Sequence, residues 1–235
     1  MIPAYNEAAV IDATLEAVDA WAVAKGFGYE ILVVDDGSSD RTAAIVEATA
    51  GRRPAVRLLR APHGGKGAAV RAGMLDARGA WILFMDADHA TRIDQFDRFE
   101  PALREGAAVV IGSRRIAGAA IERHQPRLRE LLGRGFTQLS NLIVGVGVAD
   151  FTCGFKCFER TAARRIFALQ RLTGWGFDAE ILFIARRLGY RVVQVPVTWA
   201  DAGATRVRLG RDVVGSLREL LTIRLGWLRG WYPRT

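Results

Sequence analysis

Residues 30–42 have the sequence EILVVDDGSSDRT, in which an apolar run is followed at once by acidic, glycine and hydroxyl residues. The run 30–35 has the length and the β-branched content of a buried strand. The residues after it suit a turn, and Asp40 is placed to cap a helix that continues to about residue 50. This order of strand, polar turn and helix predicts one unit of a parallel α/β sheet.

The same alternation continues along the chain. In the first half, further strands are predicted at 55–60, 81–85 and 107–113, and helices at 66–77 and 93–104. In the second half we expect a mobile loop over 114–130, a helix over about 130–145, a strand or turn over 150–158, helices over 160–168 and 178–188, a strand over 191–197 and a helix over 210–229. The fold class is therefore α/β, a mostly parallel sheet flanked by helices.

Composition narrows the class of partner. Half of the 235 residues are hydrophobic, which provides a substantial core and excludes a disordered chain, a disulfide scaffold and a collagen-like fibre. The formal net charge is +8, and only 3 of the 33 basic residues are lysines. An anionic partner is expected, which leaves nucleic acid, a membrane surface or a phosphorylated substrate.

The two cysteines, Cys153 and Cys157, have no second pair with which to form a zinc site, so buried thiols are expected. No apolar run approaches the roughly 18 residues that a membrane span needs, and no signal-peptide pattern is found. These features predict a reducing, cytoplasmic location. Only Met1 and Ile2 precede Pro3, so the first strand is either very short or truncated.

Carboxylates follow two of the predicted strands. Asp35 and Asp36 end the strand at 30–35, and Asp86 and Asp88 follow the strand at 81–85. Ligands of open α/β sheets bind beyond the carboxyl ends of the strands. Side chains two residues apart in an extended segment point the same way, so Asp86 and Asp88 would face one site, where Mg²⁺ or Mn²⁺ would relieve their repulsion. The alternative is that these residues only form turns and caps.

The loop 63–67, HGGKG, opens the predicted helix at 66–77. Its spacing is not that of a P-loop. We expect the Lys66 ammonium and nearby backbone N–H groups to lie near a nucleotide or its phosphates. The alternative is a flexible turn with a solvated lysine.

These motifs together resemble family 2 glycosyltransferases of the GT-A fold. The residues that carry the resemblance are PAYNE (3–7), VDDGSSDRT (34–42), GKG (65–67) and DAD (86–88). Three later segments are similar to the polyprenyl-phosphate branch, namely IGSR (111–114), DFTCGFKCF (150–158) and GFDAE (176–180). The run DADHAT (86–91) is closer to dolichyl-phosphate glucosyltransferases than to mannosyl synthases.

The resemblance implies a role for each matched residue. Pro3, Tyr5, Glu7, Asp35, Asp36, Lys66 and Asp86 would bind the nucleotide-sugar. Asp86 and Asp88 would hold the metal ion, and Arg114, joined by Arg115, would bind the acceptor phosphate. Asp178 is assigned to the catalytic site with Asp86, Asp88 and Arg114, the alternative being a helix cap.

The implied reaction is an inverting transfer of a hexose, glucose from UDP-glucose, to a polyprenyl or dolichyl monophosphate, with Mg²⁺ or Mn²⁺ as cofactor. One alternative is transfer of mannose from GDP-mannose. Alternatives from another class are a non-catalytic basic domain that binds nucleic acid or a lipid phosphate. We expect no nucleic-acid partner, because the arginines are spread along the chain and the carboxylates cluster at strand ends.

The tail, residues 210–235, alternates apolar residues with arginines and contains two tryptophans. Such an amphipathic helix suits a membrane interface that carries anionic lipid. The alternative is a terminal helix packed on the domain. We therefore predict a glycosyltransferase domain over 1–209 and an amphipathic helix over 210–235, peripheral at the cytoplasmic face of a membrane.

Overall fold

The computed structural model describes residues 1–123, 127–201 and 209–233, and the side chains of 1–123, 131–201 and 215–233. The strands are β1 (Ile2–Ala4), β2 (Ile31–Asp35), β3 (Val56–Arg60), β4 (Trp81–Met85), β5 (Val109–Ser113), β6 (Ala120–Arg123), β7 (Phe155–Glu159), β8 (Val192–Pro196) and β9 (Thr198–Ala200). The helices are α1 (Ile11–Lys25), α2 (Thr42–Ala50), α3 (Lys66–Asp76), α4 (Glu100–Arg104), α5 (Arg127–Val144), α6 (Arg160–Leu169), α7 (Phe177–Arg187) and α8 (Leu209–Leu228).

The central strands form two sheets that meet edge to edge. In the first sheet β1, β2 and β3 are parallel neighbours, and in the second the order is β4, β7, β5, β8. Met1 joins the two, because its amine donates to the Leu83 carbonyl at 2.7 Å and its carbonyl accepts from the Met85 N–H at 3.1 Å. The strand β7 is antiparallel to both β4 and β5, so β4 and β5 run in the same direction. The predicted mostly parallel sheet flanked by helices is confirmed.

The strand β2 shows why the sheet lies in the middle of the molecule. All five of its residues are buried. Because successive side chains point to opposite faces, Leu32 and Val34 join the core beneath α3, α6 and α7, whereas Ile31 and Val33 join the core beneath α1 and α2. Burial of both faces is what a parallel sheet covered by helices requires.

Two predictions were wrong in detail. The helix predicted over 93–104 is a 3₁₀ helix, Ile93–Arg98, followed by the short α4, because Pro101 in the first turn of α4 lacks an N–H for a continuous helix. The loop predicted over 114–130 contains β6, which pairs with β9, and α5 begins within it. The mostly exposed β6 gives no apolar pattern, and residues 124–126 lie outside the described residues.

The helix α8 packs onto the domain with one face and exposes another. Leu220 and Ile223 are buried in the core beneath α3, α6 and α7. Leu221, Leu225 and Leu228 are exposed. None of the helices in the described part of the chain is long and apolar enough to span a bilayer.

Candidate active site

The loops that follow β1 and β2 are bonded into one surface. The side-chain oxygen of Asn6 accepts hydrogen bonds from the backbone N–H groups of Ser39 (2.8 Å) and Asp40 (3.2 Å). The backbone N–H of Asn6 donates to the Ser38 hydroxyl (2.9 Å). Asn6 has a positive φ of 53°, a conformation that Asn tolerates better than most residues. The Glu7 N–H donates to the Thr42 hydroxyl at 2.8 Å. The motifs 3–7 and 34–42 therefore fix each other's geometry.

The predicted helix cap Asp40 lies one residue further from α2 than expected. Arg41 occupies the N-cap position, and its side chain makes no capping bond. Asp40 nevertheless accepts the Thr42 N–H at 2.9 Å with one carboxylate oxygen and the Ala8 N–H at 3.1 Å with the other. Asp40 thus ties the start of α2 to the loop after β1.

Asp36 is buried and holds the glycine loop. Its two carboxylate oxygens accept the N–H groups of Gly64 (2.8 Å) and Gly65 (3.0 Å). The ring Nδ1 of His63 lies 2.9 Å from the same carboxylate. The neighbouring Asp35 accepts the Ser38 N–H at 3.2 Å. Both carboxylates therefore position loops in this structure, and their predicted contacts with a nucleotide stay predictions.

Tyr5 and His63 form a stacked aromatic pair at this edge, with ring centroids 4.4 Å apart and an interplanar angle of 25°. Tyr5 was predicted to bind the nucleotide, whereas His63 received no role from the sequence. Pro3, predicted in the same group, lies within β1 in register with Val34. The stack provides a flat surface next to the glycine loop, and such a surface suits a planar base.

Lys66 and Asp86 form an ion pair where α3 begins and β4 ends, with Nζ 2.6 Å from Oδ1. Burial by itself would lower the pKa of Lys66, but the carboxylates of Asp86 and Asp178 outweigh it and raise that pKa. Gly154 closes the far side of Asp86: a Cβ built at Gly154 would lie 1.9 Å from an Asp86 carboxylate oxygen. The Asp86 carboxylate thus contacts the Lys66 ammonium and lies against the backbone of Gly154, with part of it exposed.

Asp88 lies two residues further along the same turn, and its carboxylate accepts the Ala90 N–H at 3.1 Å. Burial, together with the nearby charge of Asp86, raises the pKa of Asp88. Among the described residues, no three His, Cys, Asp or Glu side chains converge as a complete metal site. Two crowded carboxylates nevertheless fit a hard divalent cation whose other ligands are diphosphate and water oxygens.

Asp178 lies in the first turn of α7 and pairs with Lys156, which is fully buried in β7. The Lys156 ammonium donates to an Asp178 oxygen at 2.5 Å and to the Cys153 carbonyl at 2.7 Å. Burial raises the pKa of Asp178, against the pull of Lys156 and Lys66. Asp178 is therefore not a helix cap, since Gly176 occupies that position. Lys156 is missing from the predicted site residues, although a lone lysine in an apolar run was a signal for it.

Arg114 follows β5 and is held by Asp150. Its Nε and one terminal nitrogen donate to the two oxygens of Asp150 at 2.7 and 2.9 Å, and that nitrogen also donates to the Thr152 hydroxyl at 2.9 Å. The guanidinium carbon lies 5.2 Å from the centroid of the Trp199 ring. Burial alone would raise the pKa of Asp150, but Arg114 outweighs it and lowers that pKa to about 2. Asp150 therefore fixes the orientation of Arg114, the residue predicted to bind the acceptor phosphate.

Arg115 reaches α5, where its guanidinium donates to the Thr137 hydroxyl. No carboxylate in the described part of the chain forms an ion pair with it. Burial and the neighbouring guanidinium groups of Arg114 and Arg134 lower the pKa of Arg115, against the pull of Asp150. A cation in these surroundings favours an anionic ligand.

The predicted site residues thus fall into three groups, beyond the carboxyl ends of β1 and β2, of β4, and of β5. The first surrounds Tyr5 and Asp36, the second contains Lys66, Asp86, Asp88 and Asp178, and the third contains Arg114 and Arg115. The second and third groups influence each other, since the charge of Asp86 acts on both Asp178 and Arg114.

The two cysteines are buried free thiols, as predicted, and burial raises the pKa of Cys153 to about 11 and that of Cys157 to about 12.

Solved structures share this fold. The mannosyl-3-phosphoglycerate synthase from Rubrobacter xylanophilus superposes with a TM-score of 0.71 and 20% sequence identity, over 97% of this chain and 72% of that one. The glucosyl-3-phosphoglycerate synthase from Mycobacterium tuberculosis superposes with a TM-score of 0.66 and 21% identity, over 100% of this chain and 80% of that one. Both matches show the GT-A fold.

Sequence relatives match most of the chain. A dolichyl-phosphate beta-glucosyltransferase of Trichomonas vaginalis is 40% identical over 220 residues, which cover 89% of this chain and 65% of that protein. The proteins of the same name from Dictyostelium discoideum and Homo sapiens are 32% and 30% identical, over 98% of this chain and 74% and 75% of their own lengths. This chain thus spans about two thirds to three quarters of these relatives. The family described as glycosyl transferase family 2 matches residues 1–167, a range that includes Tyr5, Asp86 and Arg114. The chain therefore belongs to glycosyl transferase family 2.

Proposed function

We propose that this protein transfers glucose from UDP-glucose to a polyprenyl or dolichyl monophosphate, with inversion at the anomeric carbon and with Mg²⁺ or Mn²⁺ as cofactor. The names of its relatives support both the sugar and the lipid class of the acceptor. The observation that carries the proposal is the charge pattern of one sheet edge. Two carboxylates follow β4, a lysine at the start of α3 pairs with one of them, and two arginines follow β5.

The donor nucleotide would lie on the first group of residues. The stacked rings of Tyr5 and His63 offer a face for the base. The bonds of Asn6 and Asp36 hold the surrounding loops in place before any ligand arrives. A preformed surface binds its ligand more tightly because less conformational entropy is lost on binding.

Asp86 and Asp88 would hold the divalent cation, and Lys66 adds a positive charge beside them. A bound cation supplies neutralisation of the charge that develops on the leaving diphosphate. Solved structures of the Mycobacterium tuberculosis glucosyl-3-phosphoglycerate synthase include a complex with Mn²⁺ and UDP-glucose, which supports this cofactor class for the fold.

The acceptor phosphate would lie at the arginines. Arg115 lacks a carboxylate ion-pair partner in the described part of the chain, and Arg114 is oriented by Asp150. A guanidinium binds phosphate oxygens in a fixed planar geometry. The phosphate oxygen that attacks the anomeric carbon is already ionised at neutral pH, so no side chain has to remove a proton from it.

The lipid acceptor lies in a membrane. We propose that α8 and α5 bind the cytoplasmic face of that membrane. Exposed leucines project from both helices, namely Leu221, Leu225 and Leu228 on α8 and Leu131, Leu132 and Leu142 on α5. Arg218, Arg224 and Arg229 accompany the leucines of α8 and its end. Exposed apolar residues beside arginines suit an interface with anionic lipid.

A transfer assay tests the proposal. Labelled UDP-glucose, GDP-mannose and UDP-N-acetylglucosamine are each incubated with the chain and a short polyprenyl phosphate, with and without Mg²⁺ or Mn²⁺. We expect label to enter the lipid fraction from UDP-glucose only, and only with the metal ion. A faster transfer from GDP-mannose would contradict the donor assignment, and the absence of transfer from every donor would contradict the function.

A further inference from the structure

The segment 170–176 lies directly over the start of α3. The Gly67 N–H donates to the Thr173 carbonyl at 2.9 Å, and the side chain of Gln170 donates to the Gly67 carbonyl at 2.9 Å. A Cβ built at Gly65 would lie 2.9 Å from the Thr173 oxygen. The segment is therefore packed against the backbone that presents Lys66.

Two carboxylates hold the same segment through its backbone N–H groups. Glu180, fully buried in α7, accepts the N–H groups of Arg171 at 3.0 Å and Leu172 at 2.8 Å. Glu219 of α8 accepts the Gly176 N–H at 2.6 Å. Backbone groups of the segment are thus bonded near its start, in its middle and at its end.

Trp175 lies in this restrained segment, yet 38% of it is exposed. Its ring centroid is 5.9 Å from the Lys66 ammonium, which is itself 2.6 Å from Asp86. The indole is therefore partly exposed beside the Lys66–Asp86 pair, in a segment whose backbone is bonded on both sides of Trp175. A large aromatic face in this position is available to a ligand rather than to the core.

We propose that Trp175 is the platform against which the hexose ring of the nucleotide-sugar packs. The inference rests on the proposed function. A hexose presents a face of C–H groups with partial positive charge, and the face of an indole carries partial negative charge. The diphosphate and the cation would lie at Lys66 and Asp86, so the hexose attached to that diphosphate comes within reach of the ring. Trp175 would thereby contact the sugar without contacting the nucleotide.

The test compares the binding of UDP-glucose with the binding of UDP. Both ligands are titrated calorimetrically in Mn²⁺ into the full chain and into the variants Trp175→Ala, Trp175→Phe and Trp81→Ala. Trp81 is a matched control, since 37% of it is exposed but it begins β4 at the opposite end from Asp86. Far-ultraviolet circular dichroism verifies that each variant is folded.

We expect Trp175→Ala to lower the affinity for UDP-glucose by about tenfold and to leave the affinity for UDP unchanged. Trp175→Phe should retain most of the affinity, and Trp81→Ala should behave as the wild type. An unchanged affinity for UDP-glucose in Trp175→Ala, or an equal loss for UDP, would overturn the inference.

A membrane role for Trp175 is a further outcome of the same set of variants. If Trp175→Ala binds UDP-glucose normally but no longer floats with anionic vesicles, the indole contacts lipid and the inference is overturned. Failure of the proposed function is distinguishable, because then the wild type itself would neither bind UDP-glucose nor transfer glucose. Wild-type transfer together with normal binding of UDP-glucose by Trp175→Ala would contradict only the role of Trp175.

Discussion

The Lys66 ammonium lies 2.6 Å from the Asp86 carboxylate and links the start of α3 to the end of β4. The two residues are 20 positions apart in the sequence and belong to two separate motifs, GKG (65–67) and DAD (86–88). Their pairing places a fixed positive charge where a diphosphate would arrive. It also balances one of the two carboxylates at the end of β4.

Replacing Lys66 by Met should raise the KM for UDP-glucose by about tenfold or more, because a partly desolvated charge near the diphosphate is lost. Steady-state kinetics measure the change. Lys25→Met is the matched control, since Lys25 also pairs with a carboxylate, Asp97, at 2.7 Å but on the surface of α1. Equal effects of the two substitutions would contradict a donor-site role for Lys66.

Replacing Gly154 by Ala should displace the Asp86 carboxylate, because the added Cβ would lie 1.9 Å from one of its oxygens. A carboxylate can rotate away, so we expect a large loss of transfer activity with a small loss of thermal stability. Gly28→Ala serves as the control, since no atom lies within 4 Å of a Cβ built at Gly28. Normal activity of the Gly154 variant would show that the position of Asp86 does not matter.

Replacing Asp150 by Asn should destabilise the protein by about 3–5 kcal/mol at pH 7, since Arg114 would remain partly buried without its carboxylate. The folded pKa of Asp150, about 2, lies below the value of about 3.9 for an unfolded aspartate. The stabilisation of the folded state by the ionised Asp150 is therefore complete above about pH 4 and is lost as the pH falls towards 2.

Urea unfolding of wild type and the Asp150 variant at several pH values measures this difference in stability. The gap between the two proteins should be constant near neutral pH and should narrow below pH 4. The exposed Asp97 provides a control, for which Asp97→Asn should have little effect. A gap that widens on acidification would contradict the assignment.

Replacing both Leu221 and Leu225 of α8 by Asn should abolish flotation with anionic vesicles. These side chains are exposed, so the fold should be preserved. Removal of the whole tail would be a poor test, because Leu220 is buried and the Tyr232 hydroxyl donates to Glu180 at 2.7 Å. Val23→Asn, at an exposed apolar position of α1, is the control. Flotation that survives the double substitution would contradict the proposed membrane surface.

The sequence predicted those strands and helices whose pattern of apolar residues is visible within a few consecutive residues. The strand β4 is a fully apolar run and β2 is apolar up to Asp35, and both were predicted correctly. The helix α1 was not predicted individually, although its buried residues Ile11, Leu15 and Val18 recur at helical spacing. The strand β6 was missed because its paired residues in β9 lie 77 or 78 positions later and its own side chains are mostly exposed.

The candidate site was predictable as a set of residue types, but its internal pairing was not. The motifs predicted the carboxylates after β2 and β4. No pattern indicated that Asp36 would hold the glycine loop or that Lys156 would pair with Asp178, 22 residues away. The position of Trp175 likewise depends on Glu219, 43 residues after Gly176. Such contacts arise only when distant elements pack together.

The central claim is that the carboxylates after β4 serve a metal-dependent transfer of glucose to a lipid phosphate. The most direct test is the initial rate of transfer from UDP-glucose to polyprenyl phosphate in Mn²⁺, for the wild type, Asp88→Ala and the surface control Asp97→Ala. We predict that Asp88→Ala lowers the rate by about 10²–10³-fold and that Asp97→Ala leaves it unchanged. An undiminished rate in Asp88→Ala would contradict the account.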